Sequence, residues 1–138
     1  MITSEVVYVG ELSTEATHSK SGSIITTDAP PDNNGLGRTF SPTDLLATAL
    51  ASCMMTIMAM RARDSDLNIA GTRAKVTKIM AANPRRVEEV VIEMEIADRG
   101  LSQIHRTVLE KAALSCPVAL SLNENLKQTV SFSYRNEN

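Results

Sequence analysis

Two cysteines, Cys53 and Cys116, are the side chains in this 138-residue chain best suited to chemistry. A thiolate is a nucleophile and a metal ligand. Two thiols held together can also pass through a sulfenic acid to a disulfide and back. The pair is separated by 63 positions, so only the fold can join it. In a cytosolic chain such a pair is not a structural staple by default. Two inert buried thiols acting as small hydrophobes are the plain alternative. A zinc site would have to recruit both histidines, His18 and His105. There is no Cys-x-x-Cys pair, and His105 lies about three helical turns before Cys116, so no metal is expected. His105 reads as a partly exposed helix residue and His18 as a strand or loop residue.

The local settings of the two cysteines differ. Cys53 sits in Ala49-Leu-Ala-Ser-Cys-Met-Met55, where small residues let another backbone approach and leave a gap beside the sulfur. Cys116 immediately precedes Pro117, a residue suited to the first turn of a helix. Its sulfur would face unpaired N–H groups and the positive end of a helix dipole, a setting that favours thiolate over thiol.

The elements that position them follow from pattern. Glu5 to Val9, Ser13 to His18 and Ser23 to Thr27 read as strands, punctuated by Gly10 and Ser21-Gly22. Asp28 to Gly37 is a loop of about ten residues, rich in Pro, Asn and Gly and long enough to cover a site. Ser41-Pro-Thr-Asp44 opens a helix with Ser41 as N-cap, Pro42 at the first position and Asp44 three residues past the cap. Phe40 and Leu45 occupy the staple positions. From Leu45 to Ala62 apolar residues fall on every face and no charge precedes Arg61, the pattern of a buried helix. Spanning 41 to 63, it would be about 34 Å long, longer than the roughly 26 Å diameter of a small domain. A second subunit is expected to cover part of it.

Beyond Asp64, Ile69 to Met80 and Val87 to Asp98 flank Asn83-Pro84 as a hairpin. Val90, Ile92, Met94 and Ile96 alternate with Glu89, Val91, Glu93 and Glu95, giving one buried face and one acidic, solvated face opposite Arg73, Lys75 and Lys78. A second helix is expected from Ser102 to Ser115, a third from Pro117 through Leu122, and a last strand from Thr129 to Tyr134 with Val130, Phe132 and Tyr134 on one side.

Composition narrows the function. Hydrophobic residues are 43% and charged residues 22%, so the chain can bury a core. A net charge of −2 supplies no positive field for a nucleic acid. The longest uncharged apolar run, 45–60, is short of the roughly 18 residues of a membrane span and is broken by Thr48, Ser52, Cys53 and Thr56. The N-terminal segment carries Glu5 and no basic-then-apolar signal, which leads to the expectation of a cytoplasmic protein. Aromatics are only 3%, against seven Met, so the core must be aliphatic and thioether, and a dimer interface would add useful burial.

Phe40-Ser-Pro-Thr-Asp-Leu-Leu-Ala-Thr-Ala-Leu-Ala-Ser-Cys53 resembles the first-cysteine helix of the OsmC/Ohr family of osmotically inducible and organic hydroperoxide resistance proteins, and Leu114-Ser-Cys-Pro-Val118 resembles that family's second motif. The order of elements matches along essentially the whole chain. The resemblance implies a single OsmC-like domain over 1–138. Its fold would be α+β, with antiparallel sheets around a long buried central helix in an intertwined homodimer whose sites lie at the subunit interface. It also implies a thiol-dependent hydroperoxide reductase without metal or organic cofactor. Cys53 would be the peroxidatic residue, oxidised to a sulfenic acid, and Cys116 the resolving one that closes a disulfide for a dithiol reductant to open. Leu46, Leu50, Met54 and Met58 would line an apolar pocket for an organic hydroperoxide, unless they are core.

The match departs at the supporting residues. The hydroperoxide-resistance branch carries a Glu after the helix-opening Pro, where this chain has Thr43, and its first hairpin carries an Arg, whereas no Arg precedes Arg38 here. Without a cation a buried thiol resists ionisation. Arg38, paired with Asp44, is the nearest candidate for the role. The Thr43 pattern resembles the broader OsmC-like branch. Two alternatives stay open: a non-catalytic protein that binds a small apolar ligand or acts in stress, and a dimerisation module.

Overall fold

A computed structural model describes residues 1–138. The chain forms two compact units, 1–46 and 47–138, and the long helix runs from the first into the second.

In the N-terminal unit, β1 (Ser4–Gly10), β2 (Ser13–His18) and β3 (Ile24–Asp28) form an antiparallel sheet in the order β1-β2-β3. Its apolar residues are unusually bare: Val6, Val7, Tyr8, Val9, Ile24 and Ile25 are each more than half exposed. The loop after β3 folds back on itself. Ala29 donates to the Leu12 carbonyl (2.9 Å) and Gly37 donates to that of Ala29 (3.2 Å). Gly35 passes so close that a Cβ there would lie 1.7 Å from the Ala29 oxygen. The loop delivers the chain to α1 (Pro42–Asp64), which starts as expected. Asp44 N–H donates to Ser41 Oγ and Ser41 N–H donates to Asp44 Oδ2, both at 3.0 Å, a reciprocal cap.

The C-terminal unit contains the rest of α1, then β4 (Arg73–Ala81), β5 (Arg86–Asp98), α2 (Gln103–Leu114), α3 (Pro117–Ser121) and β6 (Lys127–Asn136). Its sheet has the order β4-β5-β6, with β4 antiparallel and β6 parallel to β5. The parallel pairing follows from the α2–α3 crossover, since parallel neighbours need a long connection. Val90, Ile92, Met94 and Ile96 of β5 are buried, with Leu109 and Ala113 of α2. On the outer face Arg73 stands opposite Glu95 and Lys75 opposite Glu93, while Lys78 stands opposite Val90 and so belongs to the inner row.

Helix α1 buries one stripe, Ala47, Leu50, Ala51, Met54, Met58 and Ala62. The expectation of burial on all sides is not met within one chain: Ala49, Ser52, Thr56 and Met60 are exposed. By length and hydropathy alone, α1 would qualify as a membrane span, but the same test is passed by core helices, and this one supplies core residues.

Candidate active site

Cys53 lies at the border of the buried stripe of α1, half-buried between buried Ala51 and Met54 and exposed Ser52. Cys116 ends the α2–α3 turn. It is fully buried and acts as N-cap of α3, its backbone extended at φ −68° and ψ 152°. Pro117 at the first position leaves no N–H unpaired, and Ala119 N–H, at the third, donates to Cys116 Sγ at 3.4 Å. The Cys53 side chain lies within hydrogen-bonding reach of Cys116, and both are free thiols. The fold thus brings together the two sulfurs that the sequence places 63 positions apart.

Burial pushes the Cys116 thiol above its ordinary range, the Ala119 N–H pulls it back, and the neighbouring Cys53 raises it again. The expectation that the helix entrance makes Cys116 a thiolate is therefore overturned. Two N–H groups of a five-residue helix do not offset full removal of the sulfur from water. Burial thus favours the protonated Cys116 thiol, and Cys53 is the more exposed of the two cysteines.

Arg38 belongs to the N-terminal unit, and its carboxylate partner is not the expected Asp44. Arg38 Nε and Nη2 donate to the two oxygens of Asp28 at 2.9 and 3.1 Å, and Arg38 N–H adds a bond of 2.8 Å to Oδ2. Asp28 is 1% exposed, a buried carboxylate that the sequence reading leaves inside a loop. Asp44 is engaged at the cap of α1.

Among the residues expected to line an apolar pocket, Leu50, Met54 and Met58 are fully buried and belong to the core. The space beside α1 opens one residue further round. An open groove of about 520 Å³ is lined by Met55, Thr56, Ala59, Arg63, Leu67 and Ile69, among others. No three His, Cys, Asp or Glu side chains converge as metal ligands. His105 completes the capping box of α2 instead: its N–H donates to Ser102 Oγ (3.1 Å) and its Nδ1 accepts from Ser102 N–H (3.4 Å). His18 ends β2 against Ser21.

Gln128, which no motif marks in the sequence, donates from Nε2 to the Ala119 carbonyl of α3 at 3.0 Å. A signal existed: it is the polar residue heading the alternating row Val130, Phe132, Tyr134.

The profile of the OsmC-like protein family matches residues 34–131, a span that includes both cysteines. The chain belongs to the OsmC-like family. A solved structure from Psychrobacter arcticus 273-4, of a proposed osmotic stress induced and detoxification response protein, is 51% identical, with 96% of each chain covered and a TM-score of 0.91. The α+β fold is that of OsmC and Ohr proteins. An organic hydroperoxide resistance protein OsmC from Legionella pneumophila superposes at TM-score 0.71 with 17% identity, covering 96% of this chain and 98% of that one. The organic hydroperoxide resistance protein OhrB of Bacillus subtilis superposes at 0.65 with 16% identity over the same shares. No curated protein sequence matches the chain.

Proposed function

We propose that this OsmC-like chain, acting as one domain, reduces organic hydroperoxides with its two cysteines. The Cys53 thiolate attacks the distal peroxide oxygen. The O–O bond breaks, the alcohol leaves with a proton, and Cys53 becomes a sulfenic acid. Cys116 then displaces the hydroxyl as water and closes the disulfide, which a dithiol reductant opens by exchange. Oxidation of two thiols balances reduction of one peroxide bond, and neither step calls for a metal or an organic cofactor.

The observation that carries this reading is the juxtaposition of a half-buried Cys53 with a fully buried, protonated Cys116. An accessible attacker beside a sheltered partner is the asymmetry that a peroxidatic and resolving pair requires.

A homodimer in the cytoplasm is part of the same proposal. The bare strands β1 and β3 and the uncovered face of α1 at Met60 are surfaces that a second copy would bury.

The test is consumption of an alkyl hydroperoxide in the presence of a dithiol by wild type, Cys53→Ser and Cys116→Ser. Wild type should turn over, Cys53→Ser should be inactive, and Cys116→Ser should complete one oxidation and then stall or over-oxidise. Equal turnover in all three would overturn the proposal.

A further inference from the structure

The inner row of β6 runs Gln128, Val130, Phe132, Tyr134, and Gln128 stands opposite Val90, which is fully buried. An amide in such a row is costly unless its polar atoms are matched. Gln128 finds its partner outside the sheet, in the Ala119 carbonyl. The same residue, Ala119, donates its N–H to Cys116 Sγ. One residue of α3 therefore receives the Gln128 side chain on its carbonyl and holds the Cys116 sulfur with its amide.

Helix α3 has only five residues and cannot stabilise itself, because the first turn fixes several residues for little return. Ser121 Oγ donates back to the Pro117 carbonyl at 2.7 Å, a bond internal to the helix. The Gln128 bond comes from a different element and ties α3 to the sheet.

We infer that Gln128 is a positioning residue for the resolving step, fixing α3 and thereby the Cys116 sulfur beside Cys53. The inference rests on the peroxide-reducing reading above. In the step concerned, Cys116 S–H attacks the Cys53 sulfenic sulfur. The S–O bond breaks as the S–S bond forms, and the thiol proton leaves with the hydroxyl as water, so no outside reagent is needed. Its rate depends on alignment of the two sulfurs. A slow resolving step leaves the sulfenic acid open to a second hydroperoxide, which oxidises it to the sulfinic acid. Gln128 then sets the partition between recycling and inactivation without touching substrate.

Gln128→Met keeps the length of the side chain and removes the donor; Gln128→Lys restores a donor at similar reach. The readouts are the rate of Cys53 sulfenic acid formation, followed by dimedone trapping with cumene hydroperoxide as the probe, and the ratio of disulfide to Cys53 sulfinic acid by mass spectrometry. In Gln128→Met the first rate should match wild type. Disulfide closure should slow by about tenfold to a hundredfold, and sulfinic acid should accumulate. Gln128→Lys should recover most of the closure rate. A second measurement, the equilibrium of the Cys53–Cys116 disulfide with glutathione, needs no peroxide and should shift toward the dithiol in Gln128→Met alone. If wild type cycles and Gln128→Met closes its disulfide at the wild-type rate, the inference is overturned and the peroxide reading stands. If wild type forms no Cys53 sulfenic acid, the peroxide reading fails and the inference with it.

Discussion

Arg38 closes two parallel side-chain hydrogen bonds onto Asp28, and its own backbone N–H adds a third. The Arg38 guanidinium, above all, holds the Asp28 carboxyl well below the usual carboxylate range. The Ser13 hydroxyl and the Arg38 N–H help, and burial opposes them. Since the folded value lies below the unfolded one, near about 3.9, this carboxylate contributes stability at neutral pH. That contribution declines as pH falls below about 4 toward the folded value. Asp28→Asn should therefore unfold at lower urea than wild type at pH 7, with the gap narrower at pH 3. An equal gap at both pH values would show that the ion pair does not carry the effect. Arg38→Gln should lose the same pH-dependent stability.

The two thiols should separate in an alkylation experiment. Cys116 is fully buried and its ionisation is pushed up, first by that burial. Iodoacetamide at pH 8 should label Cys53 well before Cys116 in the folded protein, and unfolding in urea should abolish the difference. In Cys53→Ser, Cys116 should remain slow, because burial, the main cause, is untouched. Faster labelling of Cys116 than of Cys53 in wild type would reverse the assignment of attacker and resolver.

Much of this was legible in the sequence where local chemistry decides. Ser41, Pro42 and Asp44 announce the start of α1, and the Glu/Val alternation from Glu89 to Ile96 announces the buried and solvated faces of β5. The misses share a physical cause: each depends on a partner distant in sequence. Asp28 reads as a loop residue until Arg38 reaches back to it. Lys78 reads as part of the outer charged ladder until the register puts it opposite Val90. Ile69 to Gly71 read as strand, but Gly71 turns at φ +97° and β4 begins at Arg73. Cys116 reads as a thiolate because the helix N-terminus is visible in sequence and the depth of burial is not.

Helix α1 allows core and interface to be told apart. Leu50 is fully buried in its own chain, so Leu50→Ala should cost about 2–5 kcal/mol in urea unfolding at any protein concentration. Met60 is 54% exposed in the same helix. In an isolated chain Met60→Asp should change stability by no more than about 0.5 kcal/mol. In the proposed homodimer the wild-type midpoint of unfolding should depend on concentration, and Met60→Asp should shift sedimentation toward the monomer and weaken that dependence. A wild-type protein that sediments as a monomer throughout would remove the homodimer from the proposal.

At the opposite end of the β6 inner row from Gln128, Tyr134 Oη donates to Glu110 Oε2 of α2 at 2.5 Å, and Arg106 lies 4.1 Å over its ring while bonding Asp98 at 2.6 Å. Burial first, and then the Glu110 carboxylate, push the phenol above its ordinary range, against a smaller opposing pull from Arg106. Here the folded value exceeds the unfolded one near about 10. The stabilisation is fully present below that pH and is lost as pH rises through the folded value. Tyr134→Phe should cost about 1 kcal/mol at pH 7, a charge-assisted hydrogen bond discounted for partial exposure. In a Tyr8→Phe background, the remaining phenol should ionise in the ultraviolet only well above the pH at which the urea-unfolded chain does. Coincident folded and unfolded titrations would show that the Glu110 contact is not held in solution. The tie between β6 and α2 would then have to rest on the stacking of Arg106 over the Tyr134 ring.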